Sequence, residues 1–246
     1  MTRALLAAGV VLAAAAAQDR PVLVELFTSE GCSSCPPADA LLEQFDRTQP
    51  VRGTDIIVLS EHVDYWNRIG WVDPFSSPAF SARQEEYARR FGTEGPYTPQ
   101  MVVDGSEQFV GSDRRAAEAA IRARAAKPRA SVRISAGDGS AIVEVDPLPG
   151  GAARKAGVYV AWAAEEASSD VARGENKGRR LHHVAVAREI KQVGSVDSRR
   201  GFRGNFRLDA GTRLVAFVQE GGLGPVWGAA VARSASHPQQ QVQSGQ

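Results

Sequence analysis

Cys32-Ser33-Ser34-Cys35-Pro36-Pro37 follows directly on the apolar run Val22-Leu23-Val24-Glu25-Leu26-Phe27, and the 246-residue chain has no other cysteine. The run reads as a buried strand. Behind Pro36, Ala38, Leu41, Leu42 and Phe45 recur at helical spacing. Proline suits the first turn of a helix, where its missing N–H breaks no bond. The chain therefore has to pass from strand to helix through the two cysteines. The first thiol then sits beside N–H groups left unpaired at the helix N-terminus, which favour thiolate and pull its pKa below the free value of about 8.5. The spacing leaves three chemistries open: a redox-active pair, an inert disulfide, or half of a metal site. A structural zinc site would want a second Cys/His pair at short spacing, and none is present. The redox reading leads.

Composition and charge narrow the class. Residues 1–17 combine Arg3, the apolar stretch Ala4 to Ala14 and the small residues Ala15-Ala16-Ala17. This reads as a cleaved signal peptide, too short for a membrane span, and places the protein in the periplasm or outside the cell. An oxidising compartment keeps a disulfide closed. Past that leader the chain is formally neutral, which argues against nucleic acid as a partner and against polybasic docking to membranes. The halves are not neutral. Residues 18–128 carry 12 Lys/Arg against 17 Asp/Glu, and residues 129–246 carry 16 against 11. Opposite net charges of −5 and +5 predict that the halves dock.

Along the chain, strands are expected over 21–28, 56–60, 98–105 and 109–111, and helices over 36–47, 77–90 and 113–126. The order β-α-β-α-β-β-α is that of thioredoxin. Lys127-Pro128 marks a boundary, after which the apolar period changes to two. Seven short strands over 130–136, 141–146, 156–165, 182–192, 203–208, 212–220 and 225–233 suggest a β-sandwich. The expected architecture is an α/β thioredoxin-like domain (18–128), an all-β sandwich-like domain (129–234) and a Ser/Gln-rich disordered tail (235–246).

The segment from Glu25 through Gly31-Cys32-Ser33-Ser34-Cys35-Pro36-Pro37-Ala38-Asp39 resembles the signature of an exported bacterial thioredoxin-like family catalogued as a domain of unknown function. His62-Val63-Asp64-Tyr65-Trp66, Tyr97-Thr98-Pro99-Gln100-Met101-Val102-Val103 and Gly174-Glu175-Asn176-Lys177-Gly178-Arg179 resemble further segments of it. The resemblance implies a thioredoxin-like fold and assigns no reaction. The wider thioredoxin pattern implies that Cys32 is an exposed attacking cysteine and Cys35 a buried resolving one. It implies that Thr98-Pro99 is a cis-proline segment facing the disulfide, with backbone groups open to an extended substrate. It implies that Glu25 is a buried acid beneath Cys35, able to accept its proton. Gly31 and Ser33-Ser34 depart from thioredoxin, so its redox poise does not transfer.

His62 ends the second strand, where α/β sites tend to form, and could bond a thiolate. With Cys32 and Cys35 it would also make a soft-metal set suited to copper(I). Tyr65 and Trp66 either line a substrate groove or hold their loop down. Met101 reads as core. Glu175, Asn176 and Arg179 lie in a Gly-flanked polar loop read as a turn, and His182-His183 point to opposite faces of a strand. The expected function is disulfide exchange with protein or small-thiol clients and a separate redox partner, needing no cofactor. The alternatives are a metal carrier or a redox-silent interaction module.

Overall fold

The computed structural model describes residues 20–234. The leader reading of 1–17 and the tail reading of 235–246 lie outside them. Strand β1 (Arg20–Thr28) pairs in parallel with β2 (Thr54–His62) along its whole length, from Arg20↔Thr54 to Thr28↔His62. On its other side β1 pairs antiparallel with β3 (Gln100–Val103), which pairs with β4 (Glu107–Val110). Helices α1 (Pro36–Thr48), α2 (Pro78–Phe91) and α3 (Arg114–Ala125) complete the first half.

The uninterrupted apolar run of β1 is explained by burial on both faces. Val22, Val24 and Leu26 face α1 and α3, meeting Leu41, Leu42, Phe45 and Ile121. Leu23 joins Ile57 and Leu59 against Ala161, Val215 and Phe217 from the second half. Phe27 meets Val63, Val102 and Tyr87 of α2.

The second half supplies β5 (Val132–Gly137), β6 (Ser140–Val145), β7 (Lys155–Asp170), β8 (Arg180–Asp197), β9 (Phe202–Arg207), β10 (Thr212–Glu220) and β11 (Val226–Arg233). These do not stand apart as a sandwich from residue 129. Four of them extend the first-half sheet, giving one eight-stranded sheet of order β11-β10-β7-β8-β2-β1-β3-β4 joined at Ser60↔Val186. Only β5, β6 and β9 form a second sheet. The reason lies in β10, which is apolar on both faces. Leu214, Ala216 and Val218 pack with Ala141, Val143 and Val145 of the small sheet, while Val215 and Phe217 pack with Leu23 and Leu59. A free-standing sandwich needs one apolar face per strand; here the other face needs the first half to cover it.

Opposite charges meet across the halves, as the charge asymmetry implies. Arg213 grips Asp46 of α1 with two bonds of 2.8 and 3.0 Å, and Arg233 adds a third at 2.8 Å. Arg129 bonds Asp104 at 2.6 Å. Burial pushes the Asp46 carboxyl up, but the two guanidinium groups outweigh it and its pKa falls below the usual carboxylate value.

Strands β7 and β8 run past the rest of the sheet. The pairing of β10 with β7 stops at Ala164, while β7 and β8 continue together from Glu166↔Val184 to Asp170↔Arg180. The result is a two-stranded arm with residues 171–179 at its tip. Two irregularities mark its root. The β7–β8 register shifts between Trp162 and Ala163, and Ala185 takes a left-handed backbone with φ +52° while buried against the α1 core. Such a bulge re-aims a ribbon, and this one carries the arm onto the cysteine segment.

Candidate redox site

Cys32 and Cys35 are joined in a disulfide, their Cα atoms 5.4 Å apart, at the start of α1. Ala38 and Asp39 donate their backbone N–H groups to the Cys35 carbonyl, so Cys35 closes the first helical turn. Ser33 and Ser34 are exposed, yet both cysteines are 0 % exposed. The expectation of an open Cys32 is therefore corrected. The tip of the β7–β8 arm lies on the cysteine segment. Asn176 Nδ2 donates to the Glu30 carbonyl at 2.9 Å and to the Cys32 carbonyl at 3.0 Å. The Ser33 N–H donates to Glu175 Oε2 at 3.0 Å. The 171–179 loop is thus more than the turn its sequence suggests.

Beneath this contact sits a buried charged cluster. The Glu30 carboxylate accepts from Trp71 Nε1 at 2.8 Å and from Ser169 Oγ, and lies 3.3 Å from His183 Nε2. The other His183 nitrogen is 3.7 Å from Asp39 Oδ1. Burial lowers the His183 pKa, but Asp39 and Glu30 overcome it and push it up to about 10. His183 is therefore an imidazolium at neutral pH, clamped between two acids of the cysteine segment. The neighbouring His182 is exposed.

His62 lies edge-on to His183, ring centres 4.6 Å apart, and its Nδ1 is 2.7 Å from Asp73 Oδ2. Asp73 also accepts the Glu30 N–H at 2.9 Å. Burial pushes the Asp73 carboxyl up, but His62 and the backbone donors bring its pKa below the usual value. His62 thus reaches the cysteine segment through Asp73 and Glu30. In this oxidised state the two sulfurs are bonded to each other, His62 Nδ1 is engaged with Asp73, and no cluster of three or more His, Cys, Asp or Glu suited to a metal ion occurs among the described residues.

The Thr98–Pro99 bond is cis. A Cβ placed on Gly111 would lie 3.1 Å from both Ala38 Cβ and Pro99 Cβ, so this segment borders the first turn of α1. Its backbone is less open than expected, because the Pro99 carbonyl accepts the Gly111 N–H at 2.9 Å. Trp66 Nε1 donates to Thr98 Oγ1 at 2.8 Å, and Tyr65 donates to Gln84 Oε1 at 3.0 Å. Both rings pack on the Phe27–Tyr87 cluster. They hold their loop down while staying partly exposed, and a Cβ placed on Gly31 would lie 3.1 Å from Trp66 Cβ, so Trp66 borders the cysteine segment. Met101 is core.

Glu25 departs most from expectation. Side chains alternate along a strand, so Glu25 shares the face of Leu23 and Phe27, across the sheet from α1. Its carboxylate takes Arg83 Nε at 2.8 Å and the Tyr87 hydroxyl at 2.7 Å, both from α2. It belongs to a second buried cluster and makes no bond to Cys35.

Glu30, Asp39, Asp73, Ser169, Asn176 and His183 went unread as site residues. Asn176 stood out between glycines and Asp39 within the cysteine motif, but only the fold brings these positions together.

The geometry defines a mixed α/β protein with a disulfide at a strand-to-helix junction, its cysteine segment hydrogen-bonded to the tip of a β-hairpin arm. The chain belongs to the family described as "Protein of unknown function (DUF1223)", which matches residues 23–219. A crystal structure of an Agrobacterium tumefaciens protein is similar at 26% identity and TM-score 0.70, covering 86% of this chain and 93% of that one. HBP35 of Porphyromonas gingivalis is similar in fold at 14% identity and TM-score 0.58, covering 93% of this chain and 80% of its own. No curated protein sequence matches the chain.

Proposed function

We propose that the protein is an exported thiol–disulfide exchanger built on a thioredoxin-like first half, with Cys32 and Cys35 as the exchanging pair. One observation carries this reading: the disulfide closes a three-residue step at the N-terminus of α1 and borders the cis Thr98–Pro99 segment. The strand order β2-β1-β3-β4, with α1 and α3 together on one face, supports the fold assignment. In the reducing direction the Cys32 thiolate attacks a client disulfide. One client sulfur leaves as a thiol while the other stays bonded to Cys32. Cys35 then attacks Cys32, releasing the second client thiol and leaving the disulfide described here. A dithiol reductant returns the pair to thiols. The reverse sequence oxidises a client dithiol.

The redox-silent reading is favoured by one specific observation, the burial of both sulfurs. The reduction potential separates the two. Structural disulfides lie below about −300 mV, and exchange-active ones above. A value well below that mark sinks the exchange reading.

A further inference from the structure

Resting on that reading of the disulfide, we infer that residues 171–179 are a latch that closes the exchange site and must lift before either sulfur reacts. Asn176 is 1 % exposed, whereas Gly174, Glu175, Lys177 and Gly178 around it are exposed. A polar side chain buried alone within an exposed loop has been inserted into something. Here it is inserted against the backbone of Glu30 and Cys32. The two carbonyls it bonds belong to alternate residues, so one amide group spans the approach to Gly31-Cys32. Glu175 takes the Ser33 N–H, a group that would otherwise face a substrate at the helix start.

The latch is held mainly by polar contacts. Among residues 171–179 only Val171 and Asn176 are buried. Water can replace bonds of this kind, so the tip can lift at modest cost. Gly174 and Gly178 have positive φ, +75° and +80°, which frees the loop ends from side-chain strain. A Cβ on Gly174 would sit 3.2 Å from Trp71 Cβ, so a side chain there would press on Trp71 and work against seating of the tip. The arm stays anchored behind the tip, where Ser169 and His183 hold the Glu30 carboxylate. The anchor and the latch therefore use different atoms of Glu30: its carboxylate for the one, its carbonyl for the other.

The test uses tris(2-carboxyethyl)phosphine. It attacks one sulfur, breaks the S–S bond and is hydrolysed to the phosphine oxide, leaving two thiols. The full chain is compared with an oxidised peptide of residues 30–37. The latch predicts that the wild-type disulfide is reduced at least about a hundredfold more slowly than the peptide, with a rate that levels off at high phosphine as lifting becomes limiting. Asn176→Ala removes both carbonyl bonds and raises the rate about tenfold. Gly174→Val collides with Trp71 and raises it by a separate route. Equal rates for wild type and peptide overturn the latch, as do wild-type rates in whichever of the two variants folds. Failure of the exchange reading looks different: the phosphine reduces the unlatched variants quickly, yet none of them exchanges with a disulfide-bearing polypeptide.

Discussion

Beneath the cysteines, Glu30, Asp39 and Asp73 gather around His62 and His183. On the opposite face of β1, Glu25 and Glu61 gather around Arg83, with Tyr87 and Gln219 completing the set. Both clusters are buried and charged, but they join the molecule differently. In the second cluster every charge belongs to the first half; Gln219, an uncharged side chain, accepts from Arg83 and donates to Tyr87. Glu61 pairs with the same guanidinium more loosely, its Oε2 3.6 Å from Arg83 Nε. Burial first, and then Glu25, push its carboxyl well above the usual range, which disfavours its charged form. That cluster locks α2 to the sheet. In the first cluster the cation, His183, comes from the arm and the two acids that flank it, Glu30 and Asp39, from the cysteine segment. Its strength is therefore also the strength with which the site is covered.

The sharpest break of this contrast is Arg83→Met. It strands the Glu25 carboxylate in the interior and should cost about 3–5 kcal/mol in urea unfolding, while phosphine reduction of the folded protein keeps its wild-type rate. A faster rate would show that the two clusters are not independent. His183→Gln should cost somewhat less, on the order of 2–4 kcal/mol, and should speed reduction because the arm loses its anchor. The His183 effect carries a pH signature. Its folded pKa is raised from the ordinary 6.5 to about 10. Its stabilisation is thus fully present below pH 6.5 and drains away as pH rises toward 10. Unfolding free energy measured across that window should fall in the wild type and stay flatter in His183→Gln; parallel curves would remove the imidazolium from the account.

Glu61→Gln replaces a carboxyl whose charged form is disfavoured by a neutral amide of the same shape and should change stability by under about 1 kcal/mol. A loss as large as that of Arg83→Met would mean that Glu61 is ionised. Smallest of all, Glu175→Gln keeps the acceptor for Ser33 N–H but drops the charge, and should speed phosphine reduction by roughly twofold. No change would leave Asn176 as the fastening that matters.

Much of the first half was legible because its signals are local. The apolar run before Cys32 and Pro36 at the helix start each depend on near neighbours. The cis bond at Thr98–Pro99 was expected from resemblance, not from periodicity. The orientation of Glu25 was open to reading: alternation alone sets it apart from Val24 and Leu26, which face α1. The single sheet spanning both halves left a trace in the unbroken run Leu214-Val215-Ala216-Phe217-Val218, too apolar for a strand with one wet face. The cover over Cys32 left none. It depends on Asn176 meeting a carbonyl 144 positions away, and no window of sequence holds both.

That separation orders events in time. Ribosomes make chains from the amino end, so residues 32 and 35 emerge long before the hairpin that hides them. Until β7 and β8 pair and swing inward, both thiols meet whatever oxidant surrounds the nascent polypeptide. Pulse alkylation during synthesis should label them early and fail once the carboxyl-terminal strands have folded; labelling that persists to the end would contradict this sequence. On this order the pair is oxidised in an open shop and shuttered afterwards, by a piece of the same chain made 144 positions later.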